Sequence, residues 1–92
     1  MKLICPTIGD DHEKDFLVCG SLEDFRIVVF SSIDEYEKGI EYLDLIDYKP
    51  TEVSLDLFKE LSKNDDEFSG IILNLASEKK FISKKELLEE SF

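Results

Sequence analysis

The chain has little of what small proteins use to brace a fold or hold a cofactor: two cysteines, two prolines, four glycines and one histidine in 92 residues. Two cysteines are too few for a disulfide framework. Cys5 and Cys19 each follow an apolar stretch, Leu3-Ile4 and Phe16-Leu17-Val18, so both are expected to be buried free thiols. No segment approaches the roughly 18 apolar residues of a membrane span, and residues 1–9 are too short in apolar content for the core of a signal peptide. Cytoplasm is the expected compartment. Gly9, Gly20, Gly39 and Gly70 are spaced too widely for a phosphate-binding loop. With no Gly/Ser or Pro-rich linker and no internal repeat, residues 1–92 read as a single domain.

Positive charge is scarce as well. Eleven Lys and Arg stand against 22 Asp and Glu, a net charge of −11. Such acidity excludes a nucleic-acid backbone as partner, since phosphate binding needs a basic surface that releases counterions, and it disfavours an anionic membrane surface. Ten aromatic residues and several aliphatic runs still supply enough apolar area for a core, so the composition is not that of a disordered chain.

The residues that could carry chemistry do not assemble into a known pattern. Cys5, Asp10, Asp11, His12 and Cys19 are the only candidate metal set, and they lack the close cysteine pairing of zinc sites. Residues 10–13 also lack the alternating ligand ladder of a calcium loop. Ser31, Ser32 or Ser77 with His12 would be a nucleophile and base, yet no Gly-x-Ser-x-Gly elbow surrounds them, and helix capping or turn formation explains each serine. No catalytic, cofactor-binding or metal residue is therefore assigned, and no enzymatic activity is expected.

What is present is a regular alternation of strands and capped helices. Residues 2–5 read as a strand stopped by Pro6, and Asp15 to Cys19 and Phe25 to Phe30 as a hairpin closed by a loop of about five residues. The unbroken apolar run Ile27–Phe30 predicts a strand covered on both faces. From Ser32 the period changes to that of a helix, with Ile33, Tyr36, Ile40 and Leu43 as the buried stripe and Ser32 with Glu35 as a capping box. Gly39 weakens that helix and predicts an end near residue 38. Leu45 to Val53 reads as an edge strand, because Pro50 lacks an N–H. Ser54 caps a second helix, with Val53 and Phe58 as a hydrophobic staple and Leu57, Phe58 and Leu61 as its stripe. Gly70 to Leu75 is the candidate central strand and Lys80 to Ile82 a short last one. Ser83 and Glu86 form a final capping box, with Ile82 facing Leu87. The expected architecture is a small α/β (α+β) domain, a mixed five- or six-stranded sheet with about three short helices.

Three stretches in this order resemble one bacterial family. Phe30-Ser31-Ser32 followed by Ile33-Asp34-Glu35-Tyr36-Glu37-Lys38-Gly39 is similar to a strand ending in an aromatic-Ser/Thr-Ser triplet that caps an acidic helix. Val53-Ser54-Leu55-Asp56-Leu57-Phe58 is similar to a second strand-to-helix junction. Residues 66–87 resemble a segment in which a glycine leads an apolar strand ending in Asn, here Gly70 and Asn74, before a turn, a short strand and a Ser-capped helix. The family is that of the SseB-like proteins, specifically their N-terminal domain, and the resemblance covers residues 15–90 as a short, stand-alone version. The family usually has proline where this chain has Leu75. The resemblance implies a compact α/β protein-interaction domain and no catalytic residues.

The placement of charge suggests where a partner would bind. Residues 10–70 carry 18 acids and 6 bases, net −12, whereas residues 71–92 carry four of each, with Lys79, Lys80, Lys84 and Lys85 clustered. Asp34, Glu37, Glu41 and Asp44 are expected on the outer side of the first helix, with Asp65, Asp66 and Glu67 as a loop cluster. Together they are the candidate protein-binding residues, suited to a basic partner. The expected function is a non-enzymatic interaction module acting through this acidic face or a sheet edge near Pro50, the latter also permitting a homodimer. The alternative is an acidic immunity or inhibitor protein that neutralises a basic enzyme such as a nuclease.

Overall fold

A computed structural model describes residues 2–9, 14–21 and 23–90. Along them run β1 (Lys2–Ile8), β2 (Asp15–Phe16), β3 (Val18–Ser21), β4 (Asp24–Val29), α1 (Ile33–Leu43), β5 (Lys49–Ser54), α2 (Leu55–Asn64), β6 (Phe68–Leu73), β7 (Lys80–Ser83) and α3 (Lys84–Glu89). The class is the expected α+β, with three helices. The described strands number seven, divided between two sheets of order β2-β1-β5 and β3-β4-β6-β7, where one sheet of five or six was expected. The sheets are joined at a bend. Ile4 and Phe30 exchange backbone hydrogen bonds of 2.8 Å, and Leu17 donates to the Pro6 carbonyl while accepting from the Val28 N–H, at 3.1 and 3.0 Å. Only β4 and β6 pair in parallel, and the long connection that a parallel pair requires contains α1, β5 and α2.

The apolar run in β4 organises the layers. Ile27 and Val29 join Phe58, Ile71, Ile82 and Leu87 in the larger core, whereas Val28 and Phe30 point the other way and pack with Tyr36. Because strand side chains alternate, α2 and α3 cover one face of the four-stranded sheet and α1 the other. The run is thus enclosed on both sides, as its composition predicts. Phe58 and Phe68 have no exposed area, and burying each such side chain stabilises the fold by about 1.5–3 kcal/mol. β6 is central, between β4 and β7, although it begins at Phe68 rather than Gly70.

The helix starts follow local rules. The Ser32 Oγ accepts from the Glu35 N–H and the Ser54 Oγ from the Asp56 N–H, each at 3.2 Å. At α3 the capping box is complete, with the Glu86 carboxylate also accepting from the Ser83 N–H at 3.3 Å. At α1 only half of the expected box forms, because the Glu35 carboxylate instead accepts from the Ser77 hydroxyl and pairs with Lys38 at 3.8 Å. Ser32→Ala and Ser54→Ala are each expected to cost about 1 kcal/mol. Urea denaturation measures this, and an unchanged midpoint would mean that the cap contributes nothing.

Several local expectations give way to tertiary context. Pro6 does not stop β1, which continues to Ile8. The N and C=O of one strand residue face the same side, and since the Pro6 carbonyl accepts from Leu17, its nitrogen faces away from β5, where no N–H is needed. α1 runs through Gly39 to Leu43, because that glycine is buried against Phe30. Ile33, expected in the buried stripe, is 47% exposed. The hairpin register closes at Ser21↔Asp24, tighter than a five-residue loop. The edge strand begins at Lys49, not Leu45, with Ile46 exposed on the preceding loop. Both cysteines are free, but only Cys5 is buried. Cys19 is exposed because β3 is an edge strand. Burial pushes the Cys5 thiol up to about 12, so it stays protonated and unreactive near neutral pH.

Candidate binding surface

The four acidic residues predicted on α1 do share one stripe. Asp34, Glu37, Glu41 and Asp44 are all exposed, spaced three, four and three apart opposite Tyr36 and Gly39, the buried residues of the helix. Among the described residues none of the four carboxylates has an ion-pair partner, since Lys38 turns to Glu35. Beyond Asp34, which the dipole of the first turn favours, the stripe is costly to the helix. Glu37 and Glu41 stand at i and i+4, where like charges repel. Glu41 and Asp44 lie at the C-terminal end, whose dipole favours cations, and the last turn has no basic residue. Asp44 closes the helix in the left-handed conformation, φ 53°, its N–H donating to the Glu41 carbonyl at 3.2 Å. Glu41→Lys is therefore expected to stabilise the protein by about 0.5–1 kcal/mol at low salt. A thermal melt at two ionic strengths checks this, with the gain shrinking as salt rises.

The second predicted cluster lies elsewhere. Asp65 caps the end of α2, its N–H donating to the Leu61 carbonyl at 2.9 Å and its carboxylate accepting from the Glu67 N–H at 2.9 Å. It serves the turn. Asp66 and Glu67 are exposed, but α2 packs on the opposite face of the four-stranded sheet from α1, so the two clusters flank different layers. The two predicted clusters are thus separate patches rather than one face.

The sheet edge near Pro50 is blunted. Pro6 faces Pro50 across the β1–β5 ladder, and the parity that turns the Pro6 nitrogen away from β5 turns the Pro50 nitrogen toward the open edge. An added strand would find no donor there.

Serines weighed as nucleophiles have structural partners. The Ser31 N–H donates to the Asn74 Oδ1 and the Asn74 amide to the Ser31 Oγ, both at 3.0 Å, which ties the ends of the parallel strands together. Asn74 takes φ 50°, its N–H bonded to the Val29 carbonyl, and Leu75 then packs into the smaller core. The exit turn therefore forms with leucine in place of the resembled proline. Asp10, Asp11 and His12 lie outside the described residues, as does the Ser–His pairing; of the candidate metal set only Cys5, buried, and Cys19, exposed, are described. Among the described residues no group of three or more His, Cys, Asp or Glu is placed to hold a metal, and no helix is long and apolar enough to cross a membrane.

Sequence reading missed the uncovered half of the sheet face that α1 overlies. Arg26 and Phe81 sit there, the guanidinium 4.4 Å from the ring centroid. The signal available was only that both fall on the Val28 and Ile72 face once the register Val28↔Ile72 and Ile72↔Phe81 is known. Compared with protein-family models, curated proteins and solved structures, the chain matches none.

Proposed function

We propose that the chain is a non-enzymatic protein-interaction module of the SseB-like kind that holds a basic protein partner on the α1 stripe. One observation carries the reading: four exposed carboxylates, without an ion-pair partner among the described residues, are aligned on one side of α1, and the last two oppose the negative end of its dipole. A stripe serving only solubility has no need to occupy the negative end of the dipole, whereas a basic partner would relieve that repulsion on binding and be steered to it over long range. The family assignment draws support from the Ser31–Asn74 hydrogen bonds, which join two of the stretches that carry the resemblance. Two free thiols are consistent with a reducing, cytoplasmic setting.

The test is affinity capture by the protein and by its Glu37→Lys/Glu41→Lys variant, at low and high salt. The wild type should capture a basic protein at low salt that the variant does not. Equal capture by both, or none at any salt, would sink the proposal. A thermal melt of the variant at the capture temperature separates loss of binding from loss of folding. Should the captured protein be an enzyme whose activity is blocked, the inhibitor reading replaces that of a general module.

A further inference from the structure

The half of the sheet face left uncovered by α1 forms a groove of about 360 Å³ between the end of α1 and the four-stranded sheet, walled by Leu17, Val28, Leu43, Leu45 and Leu75. Through Ile72 and Lys79 it continues into a shallower recess of about 270 Å³ beside Arg26 and Phe81. The strand register supports the continuity, since Cys19 pairs with Arg26 and Ile72 with Phe81 on one face of the sheet. Three elements of the same fold make the walls, so the groove is preformed. Its size is at the lower end of small-molecule sites.

Its charge runs against the rest of the molecule. Acids outnumber bases two to one in the chain, yet among the described residues no Asp or Glu lines either part of the groove, and the two charged residues that do are Arg26 and Lys79. Arg26 is the only arginine in the sequence. Its guanidinium is held over the Phe81 ring rather than by a carboxylate, and among the described residues neither it nor Lys79 has an ion-pair partner. A guanidinium attracted to a ring face keeps N–H donors for a carboxylate, which it can take through two parallel hydrogen bonds. An apolar slot leading to an unpaired arginine and a lysine matches a ligand with an apolar body and an anionic end.

We propose that this groove binds a small amphipathic carboxylate, its carboxylate on Arg26 and Lys79 and its apolar body between α1 and the sheet. The site is separate from the acidic stripe and does not depend on it. Titration of the full chain with 4-phenylbutyrate, followed by amide NMR, is the test. Saturable shifts are expected at Leu17, Val28, Leu43 and Ile72 and not at Glu37 or Glu41. The uncharged analogue 4-phenylbutyramide should bind about tenfold more weakly, as should 4-phenylbutyrate to Arg26→Gln, reflecting one lost charge-assisted pair. Arg26→Lys should keep part of the affinity. Lys79 is exposed, so Lys79→Gln folds normally and should lose several-fold even if Arg26→Gln is destabilised. Equal binding of acid and amide, shifts outside the groove, or no saturation would overturn the proposal. So would recognition of a peptide with an apolar C-terminal residue and free carboxylate when 4-phenylbutyrate fails, since the occupant would then be a protein terminus.

Discussion

Gly70→Ala is expected to destabilise the protein by about 3 kcal/mol or more. Gly70 sits in the central strand opposite Ser83 with φ 145°, a region that residues with a Cβ adopt only under strain of about 1–3 kcal/mol. A Cβ there would meet the Ile82 carbonyl oxygen at 2.1 Å. That oxygen is backbone in the β6–β7 ladder, so relief requires parting the two strands, and overpacking of this kind adds about 1–3 kcal/mol. A domain of this size has a total stability of roughly 5–14 kcal/mol, and each 1 kcal/mol lost lowers Tm by about 4–8 °C. A calorimetric scan should therefore show a fall of roughly 10–25 °C or no cooperative transition. A variant melting within a few degrees of wild type would mean that β6 and β7 do not approach so closely.

Gly39→Ala tests the fold by the sign of its effect. Helix propensity alone predicts a gain of about 1 kcal/mol for alanine in a helix interior. The structure predicts a loss. A Cβ at position 39 would lie 2.1 and 2.3 Å from two atoms of the Phe30 ring. The ring cannot swing aside, because Phe30 has no exposed area and Tyr36 packs edge-on against it, with centroids 5.9 Å apart and planes at 88°. The expected net cost is about 1–3 kcal/mol. Adding Phe30→Leu, which removes the clashing ring atoms, should make the pair less destabilising than the sum of the single changes, a coupling of about 0.5–3 kcal/mol. Denaturant titration of the four proteins measures it. A stabilising Gly39→Ala, or strict additivity, would show that α1 does not rest on Phe30.

The same glycine marks where reading the sequence gives out. Gly39 looks like a helix end because its cost to the helix is local, whereas its benefit comes from Phe30, nine residues earlier and just past the end of β4. Pro6 misleads for a similar reason. Whether a proline interrupts a strand depends on which side its nitrogen faces, and that side is set by pairing with β5, more than 40 residues away. Cys19 has as apolar a context as Cys5, but β3 is an edge strand and no described residue beyond it covers the thiol. The candidate site divides in the same way. The α1 stripe was legible because a 3.6-residue period alone puts Asp34, Glu37, Glu41 and Asp44 on one side of a helix. That Asp65, Asp66 and Glu67 belong to another layer, and that Arg26 and Lys79 meet at one groove, required the sheet order.

The sequence by itself determined the class of fold, the three serine-capped helix starts, the doubly covered strand at Ile27–Phe30 and the acidic stripe of α1. Each of these rests on interactions between residues within a turn or two of one another, or on the two periods at which side chains repeat. Only the tertiary structure decided that the strands form two sheets joined at Ile4 and Phe30, that the two predicted acidic clusters lie on different layers, and that the chain's only arginine stands over Phe81 at the end of an apolar groove with no ion-pair partner among the described residues. Those outcomes depend on the register between strands distant in sequence, which is chosen by how the two cores pack and leaves no mark on any single stretch of residues.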